Sequence, residues 1–135
     1  MFNVRKLLIV LLISISCLIP VHFAETTENS EDKGPQYVPL ESILVNLEGR
    51  RHYLRVDIQL LVENAEEGEK IKANMPAIRH SLIMLFSGRN PEQVSEVIER
   101  ERLRQSAKEE IKKVLGRYHA DKGFKDLFFT DFMVQ

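Results

Sequence analysis

The chain of 135 residues is long enough for one domain with a modest hydrophobic core. Its 19 Lys and Arg residues nearly balance its 20 Asp and Glu residues, so the net charge of -1 provides no global attraction to nucleic acid. Cys17 is the only cysteine, so the chain can form neither an intramolecular disulfide nor a thiolate metal site.

Residues 1–24 have the pattern of an export segment. Arg5 and Lys6 precede an apolar run at residues 7–19, and the small residue Ala24 follows at a position suited to cleavage. A cleaved signal peptide and a retained membrane anchor both fit, because the apolar stretch is close to the shortest length that spans a bilayer. Both alternatives place the rest of the chain outside the cytoplasm, since the basic residues stay inside.

The stretch ETTENSEDKGPQ, residues 25–36, is predicted to be a disordered linker. It is acidic and holds no large apolar residue, so it cannot bury enough apolar surface to offset the entropy cost of ordering its backbone. The folded extracytoplasmic domain is therefore expected at residues 37–135.

Two strands are predicted at the start of this domain. In residues 37–47 alternate positions are apolar, and in residues 53–62 the alternation of apolar and polar residues is strict. That pattern is typical of strands with one buried and one wet face in an antiparallel sheet. The short turn at residues 48–50 predicts that the two strands pair as a hairpin.

The polar positions of the second strand are the candidate site residues of this sequence. Arg55, Asp57 and Gln59 point away from the apolar face. An exposed polar strand face is common in antiparallel sheets and needs no function. The alternative hypothesis is that this face packs against a neighbouring subunit through complementary charges.

Two helices are predicted next. One carries an apolar stripe from residue 71 to residue 85, and Pro76 is expected to kink it or to start a new helix. The other is expected to begin at Pro91 with Asn90 as its cap and to end at Gly116, with a possible break at residues 99–102. Basic and acidic residues alternate along this second helix, which predicts a solvated, ion-paired face without nucleic-acid binding.

The last predicted strand, FKDLFFTDFMVQ, covers residues 124–135. Both of its faces are apolar near the middle, which predicts a central position in the sheet. The predicted fold class is therefore α+β, with a small antiparallel or mixed sheet packed with two helices.

The sequence contains no pattern that predicts catalysis. No nucleophile elbow surrounds any serine, and the glycines occur singly, so neither a hydrolase triad nor a phosphate-binding loop is predicted. The four histidines are far apart and lack metal-ligand spacing. His80 and Asp57 are the only candidates for catalytic residues, and their separation in the sequence matches no catalytic motif. We therefore predict no catalytic residue, no cofactor and no metal site.

Four segments of the folded part resemble one family, in the same order and at similar spacing. They are YVPLESILVNL (37–47), YLRVDIQL (53–60), MPAIRHSLIMLFS (75–87) and DLFFTDFMVQ (126–135). The V-N-L at residues 45–47 and the terminal F-x-D-F-x-V-Q are the most specific pieces. Together they resemble the extracytoplasmic domain of FliL, a family of flagellar basal-body-associated proteins.

The resemblance implies a domain similar to the stomatin and prohibitin fold that assembles into a homo-oligomeric ring around the flagellar stator. The implied partners are stator and basal-body proteins, and the implied location is the inner membrane with the folded domain in the periplasm. The implied function is non-catalytic support of rotation and of swimming or swarming motility. The short N-terminal segment leaves an alternative, a stomatin-like periplasmic scaffold that serves another inner-membrane complex.

Overall fold

The computed structural model describes residues 34–49 and 51–135. The predicted export segment and most of the predicted linker lie outside these residues. The described part is ordered as β1 (Gln36–Asn46), β2 (Tyr53–Val62), α1 (Ala65–Ala73), α2 (Met75–Phe86), α3 (Pro91–Ser95), α4 (Val97–Arg117) and β3 (Phe124–Val134). None of these helices is both long and apolar enough to cross a membrane.

The strands form one antiparallel sheet in the order β1-β2-β3, which confirms the α+β fold class. The predicted hairpin is also confirmed, since β1 pairs with β2 and the Leu47 N–H donates to the His52 carbonyl at 2.9 Å. Gly49 closes the turn with a φ of 83°, a conformation that side chains with a Cβ rarely adopt.

The predicted central position of the last strand is wrong, because β2 is central and β3 lies at an edge. The sequence pattern misled because β3 contains two register shifts, one near Lys125 and one near Thr130, which make both of its faces look apolar. Each shift adds a residue, so the side chains that face the core follow steps of three and two instead of a strict period of two. These core-facing residues are Phe124, Leu127, Phe129, Phe132 and Val134.

A third irregularity lies in β1, where the register shifts between Leu40 and Ile43. Glu41 and Ser42 together occupy the place opposite Asp57 in β2, which is the arrangement of a β-bulge. The bulge lets the apolar residues on both sides of it face the same core. They are Val38, Leu40, Ile43, Val45 and Leu47.

The helices cover one face of the sheet. Along β2 the five alternate residues from Leu54 to Val62 are at most 1% exposed, and they join a core that draws on every strand and helix described. Helix α2 packs on β1 and α4, and α4 packs on β3. Burial of each large aliphatic side chain in such a core stabilises the fold by roughly 1.5–3 kcal/mol.

Each of the two predicted helices is divided in two. Pro76 stands in the first turn of α2, and Asn74 separates α1 from α2, so the prediction that a new helix begins there is confirmed. Asn90 caps α3 as predicted, because its side-chain oxygen accepts the N–H groups of Glu92 and Gln93. The second break lies at Glu96 instead of residues 99–102.

The predicted cap at Gly116 is wrong. Gly116 lies inside α4, which continues to Arg117, and His119 adopts the left-handed conformation after the helix with a φ of 56°. The glycine that the packing requires is Gly123, just before β3. Its carbonyl accepts the Glu63 N–H at 2.9 Å, and a Cβ at this position would lie 2.1 Å from the Cβ of Glu67.

Candidate functional site

The candidate interaction surface is the face of the sheet opposite the helices, here called the open face. Arg55, Asp57 and Gln59 lie on it as predicted, because they alternate with the buried residues of β2. The neighbouring strands supply the rest of the surface. The open face comprises Tyr37, Ser42, Leu44, Tyr53, Arg55, Asp57, Gln59, Phe128, Asp131 and Met133.

The structure brings Arg55 and Asp57 together as an ion pair within one strand. The Arg55 Nη2 lies 3.1 Å from the Asp57 Oδ2, and the Ser42 hydroxyl donates to the Asp57 Oδ1 at 2.5 Å. Both carboxylate oxygens of Asp57 therefore have a donor inside the chain. The hydrogen bond from Ser42 lowers the pKa of Asp57, and Arg55 lowers it further, although desolvation partly opposes them.

Two members of this cluster were missed in the sequence. Ser42 reaches Asp57 because the β1 bulge places it opposite that residue. Asp131 pairs with Asp57 across the β2–β3 ladder, and its carboxylate lies 3.9 Å from Arg55. The guanidinium of Arg55 thus lies between two carboxylates, which limits their mutual repulsion.

Exposed apolar side chains surround the charged centre of the open face. Tyr37 and Phe128 come from the two outer strands, and their ring centroids are 6.2 Å apart. Leu44, Tyr53 and Met133 are exposed as well. Aromatic residues and methionine are enriched in protein interfaces, so these exposed side chains make the open face a candidate protein-binding surface.

A second charged cluster joins α4 to β3 on the helical side. The Arg104 Nη1 donates to the Asp126 Oδ1 and to the Leu127 carbonyl, both at 3.0 Å, and the Lys108 Nζ lies 3.1 Å from the same Oδ1. Burial raises the pKa of Asp126, but the Leu127 N–H and then Lys108 and Arg104 reverse the direction and lower it overall.

The prediction of a fully solvated face on this helix therefore holds only in part. Arg102 pairs with Glu99 and Lys112 with Glu109 along the exposed side, as predicted. Arg104 instead reaches across to β3, and it also binds Glu101. The hydrogen bonds from Arg104 and then from Gln105 lower the pKa of Glu101 to about 2. This cluster is a structural tie, since every charge in it has a partner.

The structure does not bring the two candidate enzyme residues together. His80 lies on α2 in the helical layer, whereas Asp57 lies on the opposite face of the sheet. A groove of about 590 Å³ at the end of the hairpin is lined by Glu48, His52 and Glu92 among others, and it contains neither residue. Across residues 34–49 and 51–135, no three His, Cys, Asp or Glu side chains are grouped to hold a metal ion.

Comparison with known proteins agrees with the resemblance that four segments of the sequence show to one family. The family described as flagellar basal body-associated protein FliL matches residues 37–135, which include nearly all of the sheet and every helix described. The flagellar protein LafL of Vibrio parahaemolyticus is 22% identical over 111 residues. That alignment covers 81% of this chain and 67% of LafL.

Proposed function

Because this chain belongs to the FliL family of flagellar basal-body-associated proteins, we propose that it is a non-catalytic component that supports flagellar rotation and thereby swimming or swarming. The match over the whole folded domain carries this proposal. The domain acts in the periplasm at the inner membrane, where it contacts stator and basal-body proteins. It also self-associates, in keeping with the ring that the family resemblance implies.

The open face is the proposed contact with a neighbouring protein subunit, with Arg55, Asp57 and Gln59 at its centre. Because the Asp57 carboxylate already has two donors, a partner that covers it does not leave an unpaired charge. Burial of a paired and hydrogen-bonded charge costs far less free energy than burial of an isolated one. Burial of the surrounding apolar residues then supplies the favourable free energy of binding.

Deletion of the gene tests the function directly. We expect reduced swimming in soft agar and reduced swarming, both restored by the wild-type gene. We also expect the tagged wild-type chain to co-purify with stator subunits. Normal motility of the deletion strain together with no stator co-purification would overturn the proposal.

A surface variant tests the role of the open face. Leu44→Asp places a charge on this face without removing core packing, so the chain should fold but restore motility poorly. Tyr118→Asp is the matched control, because Tyr118 is similarly exposed beyond the end of α4. Equal restoration by both variants would exclude the open face as the contact surface.

The alternative scaffold function makes a different prediction. A scaffold for another inner-membrane complex would co-purify with that complex and leave motility unchanged after deletion. The names of both matches refer to the flagellum, so the flagellar proposal is the better supported of the two.

The location has its own test. Intact mass of the membrane-extracted protein distinguishes cleavage after Ala24 from retention of residues 1–24 as an anchor. Either mass agrees with export. A full-length chain recovered only from the cytosol would contradict the proposed location.

A further inference from the structure

Two exposed methionines lie in different parts of the domain. The sequence has four methionines, of which Met75, Met84 and Met133 lie within the described residues. Met75 is partly buried against the core, whereas Met84 is 66% exposed and Met133 is 39% exposed. Met84 belongs to α2 in the helical layer, and Met133 belongs to the open face. A small oxidant in solution can therefore reach both exposed thioethers.

Met133 lies in one row with Arg55 and Leu44 across the open face. Arg55 pairs with Met133 in β3 and with Leu44 in β1. Side chains that lie directly opposite each other in a sheet have Cβ atoms about 4.5–5.5 Å apart, so the guanidinium of Arg55 is within reach of the thioether. The row therefore places an oxidisable sulfur beside a charged hydrogen-bond donor at the centre of the proposed contact.

Two hydrogen-bond donors are available for an oxygen atom on this sulfur. The Gln135 Nε2 already donates to the Met133 Sδ at 2.8 Å. Arg55 contacts Asp57 and Asp131 through its Nη2. Its Nε and Nη1 have no acceptor in the part of the chain that the structure describes. Thioether sulfur is a weak acceptor, whereas a sulfoxide oxygen is a strong one that both donors can bind.

We propose that Met133 is a site of reversible oxidation by peroxides, and that its sulfoxide weakens the contact between the open face and its partner. The sulfur takes one oxygen atom from hydrogen peroxide, so the O–O bond breaks, an S–O bond forms and water leaves. The sulfur loses two electrons, and the peroxide gains them. A thiol-dependent sulfoxide reductase reverses the step, since two thiols become a disulfide and the oxygen leaves as water.

The added oxygen changes the open face in two ways. A sulfoxide is polar, so its burial against apolar partner side chains loses the favourable free energy that burial of the thioether supplied. The oxygen also accepts hydrogen bonds from Arg55 and Gln135, so the guanidinium that neutralises Asp57 is shared with a further acceptor. This inference rests on the proposed role of the open face and adds how that contact is switched off.

Two leucine variants separate the exposed methionines. Met84→Leu keeps Met133 and Met133→Leu keeps Met84, and exchange of Met for Leu is well tolerated because it conserves volume. Each tagged full-length protein is purified in detergent, checked by circular dichroism and treated with hydrogen peroxide. Peptide mass spectrometry then locates the added oxygen. In the wild type we expect Met84 and Met133 to be oxidised before Met75, which packs against the core.

Capture of stator subunits from detergent-solubilised membranes measures the contact. After peroxide treatment, Met84→Leu should capture stator subunits about tenfold more weakly, whereas Met133→Leu should be unchanged. Methionine sulfoxide reductase with a thiol should restore capture by Met84→Leu. An equal loss in both treated variants would assign the effect to another residue, such as Cys17, which both variants retain.

NMR of the Arg55 Nε–H group tests the site without any partner. The resonance, assigned with Arg55→Lys, should move on oxidation of Met84→Leu and stay in place in treated Met133→Leu. An unchanged resonance in both would show that Arg55 does not hold the oxygen. A Met133 that stays reduced while Met84 is oxidised would exclude the site altogether.

The flagellar proposal and this one fail in different ways. An untreated wild type that captures no stator subunits would overturn the proposed partner and with it the effect of oxidation on capture. The Arg55 resonance would still decide whether Met133 is the modified residue. Motility of the deletion strain is independent of both measurements, so the flagellar proposal can stand when this one fails.

Discussion

The covered face and the open face belong to the same three strands, yet their side chains are stabilised in different ways. On the covered face of β2, Leu54 and its alternate neighbours are almost completely buried among helices. On the open face, Arg55 and Asp57 find partners within the sheet, and apolar side chains around them remain exposed. The first face determines whether the domain folds, and the second is available for binding.

A pair of leucine truncations gives the largest expected difference between the faces. Leu60→Ala removes a side chain that is 0% exposed, so we expect a loss of roughly 2–5 kcal/mol in the free energy of unfolding. Leu44→Ala removes one that is 65% exposed and should change it by about 0.5 kcal/mol or less. Urea denaturation of both variants measures this. Similar losses would contradict the assignment of the faces.

A pair of glycine substitutions tests how closely the covered side is packed. Gly123→Ala forces a methyl group against the Cβ of Glu67, and overpacking of this kind costs roughly 1–3 kcal/mol. Gly116→Ala meets no atom within 4 Å inside α4 and should stabilise the domain by about 0.5–1 kcal/mol. Thermal unfolding midpoints should move in opposite directions. A shift of both midpoints in the same direction would show that the loop before β3 moves enough to accommodate the added methyl group.

A pair of arginine substitutions sharpens the comparison for charged residues. Arg104→Met removes the tie between α4 and β3 and leaves Asp126 with fewer donors, so we expect a loss of about 1–2 kcal/mol. Arg102→Met removes an exposed pair with Glu99 and should cost about 0.5 kcal/mol or less. Equal effects in denaturant unfolding would mean that the tie contributes no more than a surface pair.

The smallest effect concerns the pH dependence of the open face. Because the pKa of Asp57 is lower in the folded state, its contribution to stability is present above the pKa of the unfolded chain. That contribution is lost as the pH falls through the folded-state pKa. Carboxyl NMR should show that Ser42→Ala raises the pKa of Asp57, because the strongest cause of its lowering is removed.

Ser95→Ala is the control for this titration, since the Ser95 hydroxyl bonds to the Pro91 carbonyl and not to Asp57. An unchanged Asp57 titration in Ser42→Ala would show that the hydroxyl does not bind the carboxylate in solution.

Strict alternation predicted β2 correctly because every residue from Tyr53 to Val62 keeps the regular pleat. The last strand was misplaced because inserted residues near Lys125 and Thr130 move its later core-facing side chains out of the period of two, so that both faces look apolar in the sequence. Nothing in local sequence marks these insertions. They depend on the partner strand, which lies on the far side of the helical region in the chain.

In the candidate site, too, the residues of one strand could be predicted from local sequence, whereas their partners on other strands could not. Arg55, Asp57 and Gln59 were placed on one face by their spacing alone. Ser42 and Asp131 join them only through a bulge and through the pairing of distant strands. Arg104 was predicted to be solvated because its spacing to Glu101 is typical of a helix surface pair, whereas its contact with Asp126 crosses to another element.

The placement of β3 beside β2 also has a kinetic consequence. The hairpin of β1 and β2 joins neighbouring stretches of chain, whereas the β2–β3 ladder must close a loop that contains all four described helices. Closure of long loops is entropically unfavourable, and contacts between distant residues slow folding. We therefore expect the final strand to dock late in folding, so that until then the helical layer lacks one side of its support.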